Sequence, residues 1–106
     1  MSAVVQICFE HTWSEEALHD GAREFALNVK PEIPGLIWKI FLKDSVKPQS
    51  CGIYLFDTME SAQAYAEGAR VAEMRSSPEL SGISVRVSEV MDAESILAGA
   101  PLAQER

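Results

Sequence analysis

Basic residues are scarce in this chain: nine lysines and arginines stand against sixteen aspartates and glutamates, a formal net charge of -7 at pH 7. Binding to a phosphate backbone relies on clustered Lys and Arg that displace counterions, so nucleic acid is excluded as an expected partner. Long apolar runs are also missing. No stretch approaches the ~20 residues that cross a bilayer, and "MSAVVQICFEHTW" carries no basic n-region or small-residue cleavage site. No membrane partner is expected, and the expected address is the cytoplasm. Cysteine is limited to Cys8 and Cys51, with no CxxC pair. Both fall in expected strands, where a reducing compartment favours two buried free thiols over a disulfide. Neither has a histidine or base beside it in sequence to make a reactive thiolate. Histidine occurs only at positions 11 and 19, without HxxxH spacing, and no GxGxxG or Walker-type loop is present. The expectation is therefore no metal, no nucleotide and no cofactor.

Apolar residues, by contrast, make up 47% of 106 positions and are spread along the chain. That suits one domain with one core. Ala3–Phe9 alternates Val5, Ile7 and Phe9 against Val4, Gln6 and Cys8, the pattern of a strand. Thr12 and Glu15 have capping-box spacing, and Leu18, Ala22, Phe25, Ala26 and Val29 form the stripe of a helix from about Trp13 to Lys30, ended by Pro31, Pro34 and Gly35. Strands are expected over Leu36–Lys43 and Cys51–Phe56. A second helix, signalled by Asp57 and Glu60, carries Met59, Ala62, Ala66 and Ala69, with Tyr65 at its edge. Ile83–Val90 alternates as a fourth strand.

The order βαββαβ predicts an α+β, ferredoxin-like fold: an antiparallel four-stranded sheet in order 4-1-3-2 with two helices on one face. Residues 1–91 form this domain. Residues 92–106 are a tail without an evident anchor in its own domain, open to packing on a partner subunit.

Sorting side chains by alternation sends Val5, Ile7, Phe9, Leu36, Trp38, Ile40, Leu42, Ile53, Leu55, Ile83, Val85 and Val87 toward the helices. Gln6, Cys8, Lys39, Phe41, Tyr54, Phe56, Arg86 and Ser88 fall on the other face. The second set is too aromatic for water and too polar for a sealed core, which predicts a homodimer packed sheet to sheet, with Gln6, Lys39 and Arg86 paired across a two-fold axis.

"PGLIWK", "GIYLFD" and "SAQAYAE" resemble the corresponding stretches of the YdhR-like monooxygenases, in the dimeric α+β barrel superfamily that includes the antibiotic-biosynthesis monooxygenases. The likeness runs from Val4 to about Ala98. It implies a dimeric barrel and, in each subunit, an apolar pocket between sheet and helices. There some members oxidise electron-rich phenols with O2 and without metal or flavin. Haem-degrading relatives carry a histidine ligand in the second helix, whereas Met59–Arg75 has none, which disfavours haem.

On that reading the pocket wall consists of Phe9, Trp13, Phe25, Trp38, Leu42, Tyr65 and Met74, and His11 is the candidate catalytic proton acceptor. Plainer roles stand beside these. Trp38 also reads as a core indole with its N–H on a carbonyl, His11 as an exposed strand-end residue, and Tyr65 as a helix-edge side chain. His19 reads as helix surface. Glu15, Glu16 and Asp20 favour a helix start through its dipole. Two functions are carried forward: cofactor-independent oxygenation of a small aromatic or quinol-like compound, and non-catalytic small-molecule binding or a stress-related accessory role on the same scaffold.

Overall fold

The structure, a computed structural model, describes residues 1–44 and 46–102. The expected order is present: β1 (Ala3–His11), α1 (Glu15–Glu24), β2 (Leu36–Asp44), β3 (Gln49–Phe56), α2 (Met59–Ala66), α3 (Ala69–Ser76), β4 (Leu80–Glu89) and a short α4 (Asp92–Leu97). The sheet is antiparallel throughout, in order β2-β3-β1-β4.

The helices depart from the expected pattern where local chemistry competes with periodicity. Thr12 is still tied to the sheet margin, its N–H donating to the Glu79 carbonyl at 3.1 Å. Ser14 therefore caps α1, its Oγ accepting from the Ala17 N–H at 3.1 Å. Thr58 caps α2 in the same way, because the Asp57 N–H is taken by the Gly35 carbonyl at 2.9 Å. The first helix widens to π winding over Phe25–Val29, closed by the Lys30 N–H on the Phe25 carbonyl, and then tightens to a 3-10 turn at Lys30–Glu32. Pro31, which has no N–H to donate, stands where the next α-helical turn would form. The second helix breaks at Glu67 and Gly68, giving two short helices in place of one.

The core lies between the sheet and α2, α3 and the 3-10 turn. Ala3, Val5, Ile7, Tyr54, Phe56, Ala62 and Val71 are almost wholly buried there, with Ile33 and Leu36 closing one end. Gly35 makes the turn into β2 at φ 79°, and a Cβ there would lie 2.5 Å from Ser61 Oγ and 2.6 Å from Asp57 Oδ1. Only glycine meets both demands.

The expected division of β2 and β3 between the two faces requires correction. Val5 pairs with Tyr54 and Ala3 with Phe56. Directly opposed residues share a face, so Tyr54 and Phe56 point toward the helices, while Ile53 and Leu55 stand with Gln6 and Val4 on the open face. In β2, Ile37 is an extra residue: Leu36 opposes Phe56 and Trp38 opposes Leu55. This bulge keeps Leu36 in the core and reverses the alternation after it. Lys39 and Phe41 consequently lie on the helix side, and Trp38, Ile40 and Leu42 on the open one. Gln6, Cys8, Arg86 and Ser88 keep their expected place on the open face.

The tail has anchors in its own chain. The Ser2 N–H donates to Asp92 Oδ2 at 3.2 Å, the Trp38 indole N–H to the Pro101 carbonyl at 2.6 Å, and Leu102 is buried. Leu55, on the open face, is only 1% exposed. Residues 103–106 of the expected tail lie outside the described residues.

The expectation of two free thiols is also corrected. Cys8 and Cys51 are directly opposed in the β1/β3 ladder, Cα atoms 4.1 Å apart, and are joined as a disulfide. Spanning a sequence separation of 43, such a bridge removes roughly 4 kcal/mol of chain entropy from the unfolded state. Protein denatured without reductant should show no titratable thiol, and two after reduction. Thiols titrating before reduction would mean that the pair is open in solution.

Candidate functional site

Helix α1 contributes no fully buried residue, because it stands away from the sheet. Between it and the sheet lies a cavity of about 350 Å³, within the range of small-molecule sites. Five of the expected wall residues, Phe9, Trp13, Phe25, Tyr65 and Met74, line it. Trp38 and Leu42 do not, since the Ile37 bulge turns them to the other face, and the Trp38 indole is engaged with the tail. Lys39, Phe41 and Tyr54, expected on a dimer face, line the cavity instead. Phe56 lies beneath it in the core, its ring 5.6 Å from that of Tyr65.

His11 is buried, contrary to the exposed strand end expected, and is not among the lining residues. Its ring stacks on Trp13 at 5.4 Å, and its Nδ1 accepts the Trp13 backbone N–H at 3.2 Å. The Trp13 indole N–H donates in turn to Glu79 Oε1 at 2.9 Å, and its ring meets Phe9 edge-on. In this arrangement His11 positions Trp13 at one end of the cavity.

The centre of the site is Lys39. Its Nζ lies 3.9 Å from the ring centroid of Phe25, 4.2 Å from Phe41 and 4.5 Å from Tyr54. Three ring faces attract the ammonium, each by about 0.5 to 1 kcal/mol at an exposed site and about 2 kcal/mol when desolvated. Among the described residues no carboxylate forms an ion pair with it. Burial drives its pKa down from 10.5 to about 7. Gly52 makes room for the stem, for a Cβ there would come within 2.8 Å of Lys39 Cε. The π winding begins at Phe25, the residue that closes the cage from above.

The remaining polar lining comes from Tyr54, Tyr65, Ser50, Ser77, Arg70 and Glu73. Burial raises the pKa of both tyrosine hydroxyls, and the neighbouring Tyr65 raises that of Tyr54 further. Both stay neutral and able to donate hydrogen bonds across the ordinary pH range. At the far end of β2, Lys43 pairs with Glu15 of α1. That bond lowers the Glu15 pKa and tethers the detached helix to the sheet.

Lys39, Phe41, Tyr54 and Arg70 were missed as pocket residues by periodicity. A usable signal was present in Cys8 and Cys51: opposing them fixes the parity of every residue in β3. Among the described residues no cluster of His, Cys, Asp or Glu could hold a metal ion, and no helix is long and apolar enough to cross a membrane.

The pattern of the family described as "Putative mono-oxygenase ydhR" matches residues 4–101. No curated protein matches the chain. Among solved structures it is similar to the heme-degrader MhuD of Mycobacterium tuberculosis, solved with two hemes in its active site, at 20% identity and TM-score 0.56 over 84% of this chain and 95% of that one. It is similar also to a "putative antibiotic biosynthesis monooxygenase" of Deinococcus radiodurans, at 10% identity and TM-score 0.57 over 83% and 91% of the two chains. A dimeric ferredoxin-like protein of unknown function from Jannaschia sp. CCS1 aligns at 19% identity and TM-score 0.53 over 83% and 99%. At these identities the likeness establishes the fold alone.

The desolvated lysine has a measurable cost. Because the folded-state pKa of Lys39 lies below the unfolded value, the unfolded chain binds the extra proton between the two values, and stability contributed by this site rises with pH across that window. Lys39→Met should therefore stabilise the fold at about pH 6, and the gain should shrink toward zero by about pH 10. Urea unfolding of both proteins at the two pH values measures this. A gain independent of pH would mean that the ammonium is not desolvated.

Proposed function

The chain belongs to the ydhR mono-oxygenase family, and from that premise we propose that it oxygenates a small aromatic or quinol-like compound in the cavity between α1 and the sheet, with O2 and without a bound cofactor. The observation that carries this reading is the cavity wall: Phe9, Phe25, Phe41, Tyr54 and Tyr65 offer ring surfaces on several sides, and the exposed lining is mostly apolar. Such walls take a flat aromatic molecule and exclude water from it. An electron-rich phenolate can give an electron to O2 directly. Recombination at the ring carbon and loss of water then convert a CH2 group into a carbonyl, with one oxygen atom retained and the other leaving as H2O.

In this proposal the neutral tyrosine hydroxyls orient the substrate, and His11 acts through Trp13 rather than as the proton acceptor. Haem is not the proposed ligand, since α2 and α3 present no histidine. Non-catalytic binding remains the second reading, because the same wall serves it equally.

The proposed assembly is a homodimer through the open face, where Ile40 is 46% and Leu42 44% exposed on the same side of the sheet as Gln6 and Arg86. An antiparallel sheet leaves such residues to a partner. Ile40→Asp should dissociate the dimer by placing a charge against apolar neighbours, as read by light scattering. A wild-type protein that is monomeric at micromolar concentration overturns the assembly.

Oxygen uptake should be detected with at least one member of a panel of dihydroxynaphthalenes and anthrones, with one O2 consumed per carbonyl formed. Saturable binding of the panel without uptake would overturn oxygenation in favour of the binding reading.

A further inference from the structure

An ammonium enclosed by three rings, with no anion paired to it among the described residues, is half of a recognition site. A cation buried in a protein is ordinarily paired, because leaving it alone forfeits its hydration without return. Here the rings hold Lys39 in place but supply no negative charge. The other charged or titratable groups that face the cavity are Tyr54 and Tyr65, both held neutral by burial, and Arg70 and Glu73 of α3, which are exposed at its margin and form no ion pair with Lys39. Among the described residues nothing in the cavity satisfies the charge.

We propose that Lys39 accepts the proton of a phenolic hydroxyl and then holds the resulting phenolate, so that the ligands of this cavity are acidic phenols rather than neutral aromatics. The step balances within the site: ArOH and the neutral amine become ArO⁻ and the ammonium, the O–H bond breaking as an N–H bond forms. No oxidant enters it. Phe25, Phe41 and Tyr54 surround Nζ, so a phenol whose oxygen reaches the amine lies with its ring among theirs. The amine is available for the step because burial leaves it substantially neutral near pH 7. Once protonated, it is stabilised both by the phenolate and by the ring faces. Gly52 fits this role, since any side chain there would displace the lysine stem.

The inference rests on the reading of this cavity as the substrate site, and deepens the proposed oxygenation by naming the proton acceptor that phenolate chemistry requires. It is tested first by binding alone. The probe is 4-nitrophenol, whose phenolate band separates the two protonation states. Bound to the wild-type protein it should ionise at lower pH than when free. Lys39→Met should abolish that shift and weaken binding of the anion about tenfold or more, whereas Lys39→Arg, which keeps the positive charge, should restore binding of the anion. Arg75→Gln, on the same helix as Arg70 but outside the cavity lining, should leave the shift in place. Circular dichroism and unfolding curves establish that each variant is folded.

If the probe ionises as it does in free solution, or if Arg70→Gln rather than Lys39→Met removes the shift, the assignment to Lys39 is overturned. Oxygen uptake separates this failure from that of the oxygenase reading. Undiminished uptake by Lys39→Met overturns the lysine assignment and leaves oxygenation standing. A Lys39-dependent shift without uptake on any phenol keeps the anion site and removes the oxygenase.

Discussion

The register of β1 against β3 is the constraint from which the site follows. Val5 opposes Tyr54, Ile7 opposes Gly52 and Phe9 opposes Ser50, and because opposed residues share a face, this one choice decides what the helices cover. A shift by a single position would bring Ile53 and Leu55 under the helices and send Tyr54 outward. The floor would then be aliphatic, without a hydroxyl, and with no glycine beneath the lysine. The disulfide between Cys8 and Cys51 lies on this same ladder and admits no slippage. The bulge at Ile37 is the second half of the constraint. It allows β2 to contribute Leu36 to the core and, three positions later, Lys39 to the cavity.

Most of the architecture was legible from periodicity. Strand alternation, the capping pairs and the proline and glycine stops give the βαββαβ order, and that order gives the sheet. The side-chain faces of β2 and β3 were not legible, for a physical reason. Along "GLIWKIFLKD" and "GIYLF" large apolar residues occupy both parities, so burial preference alone selects neither, and assigning Trp38, Ile40, Ile53 and Leu55 to the helix side was the more apolar solution. The structure adopts the other, and on the open face the chain's own tail engages Trp38 while Leu55 is buried. The bulge is also invisible to a period-two pattern, since one extra residue reverses every assignment after it. The disulfide was discounted on grounds of compartment, although the opposition of its two cysteines was readable.

The site shows how a desolvated group is held in one place at a cost to the fold. Lys39 loses water, and the loss lowers its proton affinity, yet three aromatic faces and a missing side chain at Gly52 give it one well-defined place. The same elements perform structural and chemical work. The π winding that begins at Phe25 aims that ring at the lysine. The separation of α1 from the sheet, bridged at one end by Lys43 and Glu15, provides the volume. A first helix packed flat on the sheet would make a better core and leave no room for a ligand.

The two tryptophans of the chain stand on opposite sides of the sheet, Trp13 at one end of the cavity and Trp38 beneath the tail. Each indole N–H is committed to a different partner, a carboxylate in one case and a backbone carbonyl in the other. The molecule thereby carries two intrinsic fluorophores with separate surroundings. Light emitted by one answers to occupancy of the cavity, and light emitted by the other to lifting of the C-terminal strap, so that single-tryptophan variants resolve events on the two sides of a sheet one residue thick.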